Sequence, residues 1–125
     1  MLKRKLVTLA IGVSSLAVAG AAVASCIPMT SAQQRARADI IFDGVALGGP
    51  TATGIERFRV IRYRKGSGPR IVPLRTGRRR YADGTGVVTS VSITSRRGET
   101  WRIFARRIRR GLWETTVCDG SRRLR

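Results

Sequence analysis

Apolar and polar residues in this chain alternate with a period of two over much of its length, the repeat of strands that bury one face. Between Ile55 and Lys65, Phe58 and Val60 fall on one face and Arg57 and Arg59 on the other. Ile61 and Tyr63 continue on the opposite parity, which predicts a bulge or a change of partner near Val60. An earlier strand is expected over Ala38–Leu47, rich in β formers and closed by Gly48, Gly49 and Pro50. Arg70–Leu74 predicts a short third strand, with Pro73 confining it to an edge or an end. Val87–Thr94 alternates again, with Val87, Thr89, Val91 and Ile93 on one face, and reads as a fourth strand.

Two further runs, Thr100–Ala105 and Leu112–Cys118, form an expected hairpin turned by Arg106–Gly111. Trp101, Ile103, Trp113 and Val117 are its candidate core or cross-strand partners. The interval Thr76–Gly86 reads as a polar loop. Ahead of the first strand, Ser31 followed three residues later by Gln34 has the spacing of a capping box and predicts a turn or two of helix. The reading is therefore all-β, five or six short strands with a short N-terminal helical turn, in a small barrel or sandwich. Neither a repeat nor a low-complexity linker divides it, so residues 26–125 are expected to form one domain.

The first 25 residues do not belong to that pattern. Lys3, Arg4 and Lys5 precede a 19-residue apolar stretch, Leu6–Ala24, which leads to small residues before Cys26. This is the layout of a secretory signal peptide; several of the apolar positions are Ala, Gly, Ser or Thr, which argues against an uncleaved membrane anchor. Ala22-Val23-Ala24 suits cleavage before Ser25, and Val23-Ala24-Ser25 suits cleavage before Cys26. The second site resembles a lipobox, which would make the product a lipoprotein anchored through Cys26.

Export changes what the two cysteines mean, since it delivers them to a disulfide-permissive compartment, secreted or in the cell envelope. An even count favours a Cys26–Cys118 bond, whereas a thioether at Cys26 would leave Cys118 a free thiol. Loss of the leader leaves 22 cations against 7 carboxylates, a net charge of +15. Arginines cluster at residues 78–80, 96–97, 106–110 and 122–125, all in expected loops or the tail. They read either as solvated turn charge that keeps β edges apart or as a polyanion-binding surface of Arg78, Arg79, Arg80, Arg106, Arg107, Arg109 and Arg110. Trp101, Trp113, Tyr63 and Tyr81 have the stacking chemistry for bases, yet their strand spacing favours core packing, and nucleic acid is a poor partner for an exported chain.

The chain contains no histidine, which removes the commonest general base and zinc ligand. Its seven carboxylates are scattered and no nucleophile lies beside a base, so a binding role is expected rather than an enzymatic one, with no cofactor and no metal of its own. Asp39 and Asp43, four apart on a strand, read as partners of neighbouring arginines; calcium would need six or more oxygen ligands.

Three segments resemble the netrin-like and tissue-inhibitor-of-metalloproteinases domain, in its bacterial form. These are the leading Cys26 with Gln33, Gln34 and the run Ala38–Val45, then Phe58–Gly66 with its Lys65-Gly66 turn, and the ending Thr116–Leu124 around Cys118. The resemblance implies a five-stranded OB-type barrel. In the family's inhibitors the amine and carbonyl of the leading cysteine chelate a metalloproteinase's zinc, and the next side chain fills the specificity pocket. Carried over, Cys26 and Ile27 form the inhibitory wedge and the bond to Cys118 holds it rigid. Pro28 stands where the animal inhibitors have a second cysteine, so only one bridge is left for that task. The expected partner is then a metalloproteinase or other exported protein; from charge alone it is an anionic envelope polymer or a membrane surface.

Overall fold

The computed structural model describes residues 26–125 and, within the leader, Gly12 alone, so the expected signal peptide of residues 1–25 lies outside the described residues. Among the described residues, eight strands follow one α-helix, α1 (Ser31–Arg37): β1 (Ile40–Gly48), β2 (Ile55–Lys65), β3 (Ile71–Arg75), β4 (Arg79–Arg80), β5 (Gly86–Val87), β6 (Thr100–Arg109), β7 (Leu112–Glu114) and β8 (Arg122–Arg123). Five of them close a barrel in the order β1-β2-β3-β7-β6, with β6 pairing back onto β1; β8 adds a short strand on the outer edge of β6. All neighbours are antiparallel except β3 and β7, giving an OB-type barrel.

Alternation determines which side chains enter the barrel. Ile40, Phe42 and Ala46 of β1 meet Phe58 of β2, Val72 and Leu74 of β3, Trp101, Ile103 and Ala105 of β6, and Trp113 of β7. The break in parity near Val60 is real: the β1–β2 register shifts between Asp43–Arg62 and Gly44–Val60, leaving Ile61 exposed while Val60 and Tyr63 both pack on the core. Pro73 lies inside the sheet rather than at an edge, but the β3–β7 ladder covers only Leu74 and Arg75 and begins one residue after it.

Four expectations are corrected. The helix starts one residue early, because Thr30 rather than Ser31 is its cap, with Gln33 completing the box. The hairpin turn is tighter than Arg106–Gly111, since β6 runs on to Arg109. Val87–Thr94 is not a strand beyond its first residue: Val87 pairs in the small β4–β5 hairpin inside the expected polar loop, and the rest is irregular. There the Ser92 hydroxyl accepts from the Thr89 amide and bonds to the Thr89 hydroxyl, closing a turn that competes with the ladder. The segment then drops Ile93 into the barrel end with no exposure at all.

The fourth correction concerns Leu112–Cys118. Only Leu112–Glu114 is a strand; Thr116 and Asp119 form a reciprocal cap around a 3-10 turn over Val117–Asp119, and Gly120 ends it at φ 102°. Val117 is consequently 37 % exposed and not a core residue. The turn, α1 and β8 cover the outer face of the barrel, where Ala38, Ile41 and Phe104 form a second apolar cluster.

Candidate functional site

Cys26 and Cys118 are joined, with 5.3 Å between their Cα atoms and a sequence separation of 92. The bridge ties the N-terminal segment to the 3-10 turn, and α1 needs it. That helix is seven residues long and buries none of them, so it has little packing of its own. Its other ties are polar: Lys65 Nζ donates to the Arg35 carbonyl at 2.7 Å, and the Gln34 side chain lies against Gly120. Ile27, next to the anchored cysteine, is 85 % exposed, the largest exposure among the big apolar side chains described. The expected wedge residues thus sit side by side, one covalently fixed and one free in solvent.

The expected polyanion-binding arginines separate into three groups. Arg78 is turned inward, its side chain only 13 % exposed: Nη1 lies 3.5 Å from Glu56 Oε1 and donates to the Ser95 carbonyl at 3.2 Å. Glu56 is 1 % exposed and also accepts from the Ser95 hydroxyl at 2.9 Å and from the Thr76 hydroxyl. Arg106 pairs with Glu114 at 3.2 Å and faces Asp119 at 3.9 Å. Arg78 and Arg106 therefore serve the fold. Arg79 and Arg80 stand exposed in the β4–β5 hairpin, beside the β1–β2 loop at Thr51. Arg107, Arg109 and Arg110 stand at the β6–β7 turn, where the Arg107 amide donates to Asp39 at 2.6 Å just before β1 begins. Because β1 runs the length of the barrel between these points, the seven residues occupy opposite ends and do not form one patch.

What the sequence reading missed is a cluster on the barrel's outer face. Asp43 on β1 is flanked in register by Arg62 of β2 and Arg102 of β6. It accepts from Arg102 Nε at 2.8 Å and from Arg64 Nε at 2.8 Å, with Arg62 at 4.0 Å. Hydrogen bonds from Arg102 first, and then from Arg64, hold its carboxyl below the usual carboxylate range despite burial. Asp39 is not its companion, being engaged by the Arg107 amide, so the two aspartates share no ligand.

All seven carboxylates are in fact engaged within the fold: Asp39 by Arg107, Asp43 and Glu56 as above, Asp83 by Thr85, Glu99 by Arg96 and Arg123, Glu114 by Arg106, and Asp119 by Thr116. Six arginines have a carboxylate within 4.0 Å, namely Arg62, Arg64, Arg78, Arg102, Arg106 and Arg123. Of the 22 cations in residues 26–125, 16 have no such partner among the described residues. The chemistry on display is that of guanidinium groups free to grip oxyanions.

No known protein family matches the chain, and no curated protein matches it significantly. A small disulfide-bonded domain is consistent with an extracellular or periplasmic location.

Proposed function

We propose that this protein is an exported binding module that adheres, through its guanidinium surface, to anionic envelope polymers or membrane head groups. The observation that carries the reading is the surplus of cations: five of the seven carboxylates pair with six arginines, Asp39 and Asp83 are held by amide and hydroxyl donors, and 16 cations have no carboxylate within 4.0 Å among the described residues. Arginines at both ends and on the side of the barrel suit a long or extended polyanion better than a compact one. Retention on immobilised anionic polysaccharide, followed as salt rises from about 50 to about 200 mM, tests it. Engagement of six or more charges should weaken binding by about a thousandfold over that range. Affinity that ignores salt would sink the proposal.

A second reading is favoured by one specific feature, the exposed Ile27 beside a covalently anchored Cys26. In it the module inhibits a metalloproteinase, with the Cys26 amine on the zinc and Ile27 in the specificity pocket. It requires a mature N-terminus at Cys26 with an unmodified amine, which intact mass determines. Ile27→Asp should then abolish inhibition while leaving polyanion binding intact, because it places a carboxylate in an apolar pocket. A mature chain beginning at Ser25, or an acyl mass on Cys26, would reject it.

A further inference from the structure

A cleft of about 120 Å³ opens on the outer face of the barrel, beneath α1 and beside β8. Four arginines from four different elements line it: Arg35 of α1, Arg64 of β2, Arg102 of β6 and Arg122 of β8. Its floor is apolar, formed by Ile41 and Phe104, both nearly inaccessible to solvent, and the Ser31 and Gln34 side chains complete the wall. One carboxylate, Asp43, serves this group, so four guanidiniums against one acid leave a local charge of +3.

Two details mark the cleft as built rather than incidental. Arg102 and Arg122 are directly opposed across the β6–β8 pair, an arrangement in which like charges repel and destabilise a sheet. A locally unfavourable choice of this kind is expected where a ligand supplies the missing counter-charge. In addition, Asp43 clamps Arg64 and Arg102 from the barrel side, at 2.8 Å to each Nε, which holds two donors in place without a ligand. Arg35 and Arg122 have no carboxylate partner among the described residues.

We propose that this cleft is a specific site for one tetrahedral oxyanion, a phosphate group. A space of about 120 Å³, open to solvent, is enough to admit a phosphate group. Convergence of guanidiniums from several directions suits a tetrahedral acceptor, and the apolar floor lowers the local dielectric so that each charged hydrogen bond counts for more. The inference deepens the polyanion reading and rests on it only for the source of the phosphate, either a lipid or polymer head group or the free ion.

The test is calorimetric titration of the disulfide-bonded protein with inorganic phosphate, alongside sedimentation with phosphatidylglycerol vesicles. The variant Arg35→Gln/Arg122→Gln is compared with Arg79→Gln/Arg80→Gln, which removes the same charge from a remote hairpin. Neither pair bonds a carboxylate, and circular dichroism verifies the fold of each. The site predicts saturable phosphate binding that falls about tenfold or more in the first variant and stays unchanged in the second. Vesicle binding that falls further in the first variant than in the second identifies a head group as the source; vesicle binding reduced equally in both, with the phosphate difference intact, identifies the free ion. No saturable phosphate binding, or equal loss in both variants, overturns the site. Vesicle binding that persists with its salt dependence would then leave the broader polyanion reading standing, and its absence would remove both.

Discussion

Asp43 shows how one residue organises three strands. Its carboxylate accepts from Arg102 and Arg64 at 2.8 Å while 8 % exposed, so those charge-assisted bonds work in a partly dehydrated setting. Asp43→Asn should cost about 2 kcal/mol in denaturant unfolding, because three guanidiniums lose their common partner. The depressed folded-state pKa sets the sign of the pH effect. The stability it contributes is complete above the unfolded carboxylate's value near 3.8 and is lost as pH falls through the lower folded value. Acid titration of the unfolding midpoint should therefore show a downward limb below about pH 4 that is diminished in the Asn variant. Glu56 holds a comparable position at the barrel end, receiving Ser95, Thr76 and Arg78. Replacing it with Gln leaves Arg78 with a buried, uncompensated charge and should destabilise by about 3 kcal/mol.

At the scale of elements, the Glu56 contacts explain why residues 88–98 are ordered without being a strand. The segment is pinned where the Ser95 hydroxyl donates to the carboxylate and where Arg78 donates to the Ile93 and Ser95 carbonyls, with Ile93 as its apolar plug. Glu56→Gln should accordingly raise the rate of limited proteolysis between Val88 and Arg97 more than elsewhere, which peptide mapping would reveal. The β2–β3 connection depends on a different device. Gly66 has φ 67°, and a Cβ there would stand 2.7 Å from the Asp39 carbonyl oxygen, a backbone atom with nowhere to move. Gly66→Ala should lower stability by about 1–3 kcal/mol, with loss of the Lys65–Arg35 tie that follows from displacing this turn. Thermal unfolding of the variant measures it.

For the molecule as a whole, the disulfide is the constraint with the longest reach. Closing a loop over 92 residues stabilises by about 4–5 kcal/mol in the chain-entropy account. Cys118→Ser should therefore lower the unfolding free energy by a few kcal/mol and release α1 first, since that helix buries nothing of its own; hydrogen exchange in residues 31–37 would rise before exchange in the barrel. Uniform exchange in the variant would show that the helix docks without the bond. Surface charge enters at this scale as well, because 16 uncompensated cations repel one another and are relieved by any anion that binds the folded state.

The strand-rich class and the inward positions Phe58, Trp101, Ile103 and Trp113 were legible in the local pattern, and the structure chose the bulge at Val60 and the Cys26–Cys118 bond from among the alternatives that pattern and cysteine count had left open. The class and the inward positions are properties of a period-two pattern, which neighbours along the chain already express. Tertiary structure alone decided that Val87–Thr94 would plug the barrel and that Val117 would face solvent, because the side-chain hydroxyls there compete with the ladder and Glu56 draws Ser95 inward. It also decided which arginines are free. Residues 35, 64, 102 and 122 are far apart in the chain and meet only because β6 and β8 pair while α1 lies across them. Charge is legible in composition, but its neutralisation depends on distance in space, and the closed barrel sets that distance.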